Sequence, residues 1–205
     1  MAIDRRIRKT KHAIKQAFIQ LLEQKELDSI TISDITESAD INRGTFYLHY
    51  EDKYDLLEKM ENEYAEVLYD QTRSTALLKS AESVDEFFEV FSNQVLKNVM
   101  THIYDNLDFY QVILTLERKS QLEERMYQII LDNMKERMDE EGQIAGIPVM
   151  YFHSYVSGSM AGIVKHWVTD EQRVDVDTLI QYVSRIVFNG PVRLMAMSQD
   201  EKNRK

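Results

Sequence analysis

Between Asn42 and Tyr50 the chain reads Asn-Arg-Gly-Thr-Phe-Tyr-Leu-His-Tyr, a run dense in side chains that can hold nucleic acid. An arginine can donate two parallel hydrogen bonds to the O6 and N7 of guanine. Hydroxyls, imidazoles and ammonium groups hold phosphate oxygens and fix position without reading sequence. Arg43 is the one long cation of the run, and Gly44 beside it lets the backbone approach a groove closely. These two are the candidate base readers. Thr45, Tyr47 and His49 alternate with Phe46 and Tyr50, so polar tips can point outward while two aromatics anchor the segment. Lys53 follows in the first turn of the next helix, where free N–H groups and the positive dipole end favour an anion. A cation there argues for a phosphate nearby. Thr31 and Ser33 upstream supply two more hydroxyls, Thr31 serving equally well as a helix N-cap.

These residues need short helices at a fixed angle, and the surrounding pattern predicts them. Ile14, Ala17, Phe18, Leu21 and Leu22 share one face of a first helix over 8–25. Thr31, with Asp34 three residues on as a weaker form of the capping box, starts a second helix over 32–39. Asp40, Ile41 and Asn42 form a tight turn, and 43–50 forms the third helix, which completes a helix-turn-helix. A fourth helix carries Leu56, Leu57, Met60, Tyr64, Val67 and Leu68 on one stripe from Asp52 to about Arg73. Further helices are predicted over 84–101, 103–116, 118–141, 147–168 and 175–189, with no strand pattern.

A net charge of −10 runs against phosphate binding, but its distribution is uneven. Through Lys53 there are nine basic and nine acidic residues, so the whole excess lies in 54–205. The first 15 residues hold six basic side chains against one acidic, as a DNA-facing end on a body facing elsewhere would. Two prolines and six glycines in 205 residues leave few helix breakers, and the absence of cysteine removes disulfides, thiolate metal sites and thiol nucleophiles. No apolar run is long enough to span a bilayer, so a cytoplasmic protein without a membrane partner is expected.

The stretch from Thr31-Ile-Ser-Asp-Ile through Gly44-Thr-Phe-Tyr-Leu-His-Tyr to Lys53-Tyr-Asp-Leu-Leu resembles the DNA-binding domain of the tetracycline-repressor (TetR) family over roughly residues 8–60. The resemblance implies a homodimer that places two recognition helices in successive major grooves of a palindromic site. It also implies a divergent C-terminal helical domain that dimerises and often binds an inducer. By position, Arg43, Gly44 and Thr45 would read or approach bases, and Tyr47, His49 and Lys53 would hold phosphates. One departure is Ser33, followed by Asp34, where some members carry a base-contacting arginine. Readout then leans on the third helix and the arm from Arg5 to Lys11. The expected architecture is all-α: a helix-turn-helix domain over 1–52 and a larger helical dimerisation and effector domain over 53–205.

In that larger part Ser154, Gly158 and Gly162 recur every four residues, a face on which a second helix can pack closely. With Trp167, Leu179, Val183 and Ile186 they form the expected dimer interface. Tyr104, Tyr110, Glu117, Tyr127, His153 and Tyr155 are candidate pocket residues by type, since an effector site needs a few polar groups among apolar ones. Enzyme signatures fail: no Walker loop, no HExxH, no Glu three residues before any His, and Gly-Ser-Met-Ala-Gly at 158–162 misplaces its serine for a nucleophile elbow. The expected partners are double-stranded DNA, a second copy of the chain and a small-molecule effector, with no cofactor, metal or catalytic residue. A helical adaptor acting through a protein partner is the competing reading.

Overall fold

The computed structural model describes residues 2–72, 81–118 and 120–203, with side chains described for 5–72, 81–118 and 120–197. The chain falls into two compact units: residues 1–66 with 108–125, and residues 67–107 with 126–205. This differs from the expected division at 52/53, because a helix from the middle of the sequence completes the N-terminal bundle.

In the first unit, α1 (Ala2–Leu22) buries Ile14, Ala17, Phe18 and Leu22. A short 3-10 turn, Leu27–Ser29, plugs Leu27 and Ile30 into the same core. The helix-turn-helix follows as α2 (Ile32–Ser38) and α3 (Arg43–Tyr47). The turn between them places Asp40 at φ +52°, a left-handed geometry that aspartate tolerates better than most side chains. Helix α4 (Lys53–Thr72) starts on Asp52, whose Oδ1 accepts from the N–H groups of Tyr54 and Asp55, both at 2.8 Å. Arg73, the expected end of this helix, lies outside the described residues.

Helix α7 (Leu107–Thr115) brings Phe109, Tyr110, Val112, Ile113 and Leu114 into the interior. Phe109 stacks on Tyr64 with centroids 3.7 Å apart. Beneath them Glu61, 1% exposed, accepts from Arg118 Nη2 at 2.6 Å and Ser120 Oγ at 2.7 Å. A buried carboxylate needs such partners, because burial without them costs several kcal/mol.

The second unit contains α5 (Val84–Val90), which runs through a π-type segment, Phe91–Leu96, into α6 (Lys97–Asp105). Buried Ser92 in the widened turn shares a hydroxyl–hydroxyl hydrogen bond of 2.8 Å with buried Ser184. Helix α8 (Gln121–Lys135) begins in the first unit and ends in the second. A two-residue hairpin pairs Gln143 with Pro148 and Ile144 with Ile147. Its turn residues Ala145 and Gly146 both have positive φ, the backbone that matches strand twist.

Then come α9 (Val149–Thr169), α10 (Val176–Asn189) and α11 (Pro191–Asn203). The last was not foreseen: Gly190 ends α10 at φ +73° and Pro191 begins a new helix, a position where proline's missing N–H is no loss. Among the described residues no helix is long and apolar enough to cross a membrane.

Candidate nucleic-acid interface

Helix α3 has one face in the core and one in solvent. Phe46 is fully buried and Tyr50 nearly so, whereas Tyr47 is 52% exposed and Leu48 79% exposed. Arg43 and Gly44 are exposed and Thr45 and His49 half-buried. The anchor and tip assignment therefore follows the predicted alternation, with Tyr47 on the outer side. Tyr47 leans edge-on against Phe46 at 5.6 Å, and Arg43 Nη2 lies 3.5 Å from the Tyr47 hydroxyl. The phenol thus holds the guanidinium over the outer face of the helix. A Cβ built on Gly44 would meet nothing within 4 Å. The fold makes no steric demand for glycine there.

Helix α2 is fixed by a complete capping box. Thr31 Oγ1 accepts from the Asp34 N–H at 3.1 Å, and Asp34 Oδ2 accepts from the Thr31 N–H at 2.8 Å. Asp34 Oδ2 also accepts from the Thr31 hydroxyl at 2.9 Å. These bonds from Thr31, aided by Lys25, hold the Asp34 carboxyl below its ordinary value. The hydroxyl proton of Thr31 is committed to Asp34, so any phosphate bond from Thr31 must displace it. Ser33 is half-buried in the first turn of the same helix.

Lys53 has a different role from the one inferred from its place at a helix start. Its Nζ donates to the carbonyls of Asp28 at 2.7 Å and Ile30 at 2.8 Å and lies 5.3 Å from the Tyr54 ring centre. These carbonyls, at the end of the 3-10 turn, offset the unfavourable helix position, so no phosphate is needed to explain a cation there. One N–H of the ammonium remains beyond these two bonds. His49 is held below its ordinary pKa, first by burial and then by the Lys11 charge, so it is neutral at pH 7. Arg5, Arg6, Arg8 and Lys9 of α1 are exposed. Leu48, to which the sequence reading gave no role, is exposed beside Tyr47. Its position at the end of the outer face was the available signal.

The profile described as "Bacterial regulatory proteins, tetR family" matches residues 14–60, and that described as "Transcriptional regulator C-terminal region", a TetR profile, matches residues 92–189. The chain belongs to the TetR family. A TetR transcriptional regulator from Streptococcus agalactiae 2603V has the same fold at 28% identity, with a TM-score of 0.61 over 91% of this chain and 98% of that one. The FadR regulator of Bacillus subtilis, solved with stearoyl-CoA, shares the fold at 17% identity and TM-score 0.63, over 87% of this chain and 98% of its own. An uncharacterised helix-turn-helix regulator of Bacillus subtilis (strain 168) is 48% identical over 59 residues, 28% of this chain and only 16% of that protein. This TetR-family chain is a DNA-binding transcriptional regulator, which sets aside the adaptor reading.

In the second unit the expected interface residues separate into two groups. Ser154, Gly158, Gly162 and Ile186 lie on exposed faces of α9 and α10. Trp167, Leu179 and Val183 are buried within the protomer, and the Trp167 indole N–H donates to the Val174 carbonyl at 2.8 Å. They belong to the core of the protomer, because the apolar surface of these helices is wider than their exposed stripe. Tyr151, Tyr155 and Tyr182 are exposed aromatics on those helices that the sequence reading omitted from the face.

The six pocket candidates are dispersed over both units. The second unit holds a cavity of about 760 Å³ lined by residues of α4 to α6, α8, the hairpin, α9 and α10, and only Tyr155 of the six candidates lines it. Tyr110 is buried in the core of the first unit and Glu117 is exposed there. Tyr104 packs on Trp167, and His153 Nε2 meets the Tyr127 carbonyl at 2.9 Å. Residue type selected polar side chains, whereas the cavity wall is almost wholly apolar.

Proposed function

We propose that this protein is a homodimeric repressor that holds a palindromic operator through two copies of α3 and releases it when a small molecule fills the cavity of the second unit. The observation that carries the reading is the outer face of α3, where Arg43, Gly44, Tyr47 and Leu48 stand exposed above a buried Phe46. Arg43 reads guanine, with Gly44 and Thr45 allowing close approach, and Leu48 meets a thymine methyl. Tyr47, His49, Ser33, the third N–H of Lys53 and a rearranged Thr31 hold phosphates, with the basic face of α1 beside them. The exposed stripe of Ser154, Gly158 and Gly162, with Ile186, Tyr155 and Tyr182, supports dimerisation through α9 and α10. The 760 Å³ cavity supports an effector, being within the roughly 300–1,000 Å³ usual for ligand sites.

Selection of binders from a random duplex library at fixed, near-physiological salt tests the reading. The expected result is a palindrome with half-sites about one helical turn apart. A folded dimer that enriches no sequence would overturn it. Arg43→Ala should cost about 1–3 kcal/mol and relax the preference at one position per half-site. Equal loss on every duplex would remove the base-reading role.

A further inference from the structure

The cavity wall carries one polar group that the protein leaves unsatisfied. Arg137, just beyond α8, lines the cavity; its Nη1 donates to the Asn133 carbonyl at 2.6 Å, and its Nη2 is buried without a partner. No acidic side chain lines the cavity among the described residues. Thr72 Oγ1 donates to the Tyr69 carbonyl, Ser159 Oγ to the Val156 carbonyl and Asn133 Nδ2 to the Ile129 carbonyl, each within its own helix. A guanidinium keeps its charge at any ordinary pH, and a charge-bearing donor left unpaired in an apolar wall is costly. The cavity side of this donor is open to an acceptor from a ligand, and the best match for a guanidinium fork is a carboxylate.

The remaining wall says what is attached to that acceptor. It is built from aliphatic and methionine side chains, among them Ile129, Ile130, Met134, Val156 and Met160. Methionine adapts its shape to a flexible guest, and such a lining offers an alkyl chain contact along its length with few polar groups to satisfy. We infer that the cavity binds a long-chain aliphatic carboxylate, its chain against this wall and its head on Arg137. The inference rests on the effector reading above and names the class of molecule that would occupy the site.

Equilibrium binding to the full-length protein tests it, with decanoate, dodecanoate and tetradecanoate below their micelle concentrations and the methyl ester of each as an uncharged control. Affinity should rise about fourfold per methylene until the cavity is filled. Each acid should bind at least about tenfold tighter than its ester, as expected for a charge-assisted pair. Arg137→Met keeps the side-chain volume and should erase the acid–ester difference while leaving ester binding unchanged; Arg137→Lys should retain most of it. Equal binding of acid and ester to the native protein, or equal loss of both in Arg137→Met with its unfolding temperature unchanged, would overturn the inference. Dodecanoyl-CoA separates the two sources of an acyl chain. Binding of the thioester in place of the free acid would overturn the carboxylate head. Operator release is scored separately: dodecanoate that binds through Arg137 without releasing DNA keeps the site and defeats the effector reading, whereas release by a neutral ligand alone does the reverse.

Discussion

The two units are packed in opposite ways. The first is packed closely, with Ile14, Phe18, Ile35, Phe46, Leu56 and Met60 fully buried, and it presents its function as side chains projecting from a rigid base. The second surrounds a 760 Å³ space and leaves Tyr151, Tyr155 and Val187 exposed along its wall. A DNA reader must hold a few donors in fixed register, and close packing supplies that. An effector site must instead forgo packing contacts that the protein would otherwise make with itself, so its stability falls to whatever fills it. The difference is one of packing: the first unit fills its interior with its own side chains, and the second leaves a space open.

Truncations in each unit give the sharpest form of that contrast. Phe46→Ala should lower stability by about 3–5 kcal/mol, as in any filled core, while Met134→Ala at the cavity wall should lower it by about 1 kcal/mol or less, because part of the space it vacates is already open. Chemical unfolding checks both, and similar losses would break the comparison. Arg118→Met should cost about 3 kcal/mol by leaving the buried Glu61 carboxylate with Ser120 alone. Loss of the two carbonyl bonds in Lys53→Met should lower stability by about 1–2 kcal/mol as well as weakening DNA binding. A variant of native stability with weakened binding would return Lys53 to a purely phosphate-holding role.

Smaller in effect is the pH response of His49. Its folded pKa lies below the usual 6.5, so the unfolded chain takes up the proton first and the free protein loses stability as pH falls below 6.5 toward the folded value. A phosphate at the ring would raise that value. DNA binding should therefore tighten between about pH 7.5 and pH 6, with uptake of up to one proton per protomer. Affinity measured against pH at fixed salt should show this in the native protein and not in His49→Gln.

The same contrast explains what could be read from sequence. Local signals revealed the first unit: the Thr31–Asp34 box, the alternation that buried Phe46 and exposed Tyr47, and the helical stripe of α1. Lys53 escaped because its partners are carbonyls of a turn more than 20 residues earlier, which no spacing rule connects. The cavity escaped for a deeper reason. It is bounded by residues from several elements and defined by where atoms are missing, and a sequence displays only what is present. Trp167, Leu179 and Val183 were assigned to the partner-facing stripe because periodicity reports that a face is apolar but not which neighbour covers it. The two-residue strands at 143–144 and 147–148 are too short to alternate at all.

Gly44 gives the recognition helix a freedom that its neighbours lack. A substitution at Phe46 must first survive folding, whereas Ala at position 44 meets no neighbour within 4 Å and gains helix propensity of about 0.5–1 kcal/mol. Variation there meets no steric barrier in the folded protein. Over evolutionary time such a position can drift among side chains without a stability threshold to cross, so a duplicated copy of this regulator could acquire a new operator through residue 44 while its bundle stays intact.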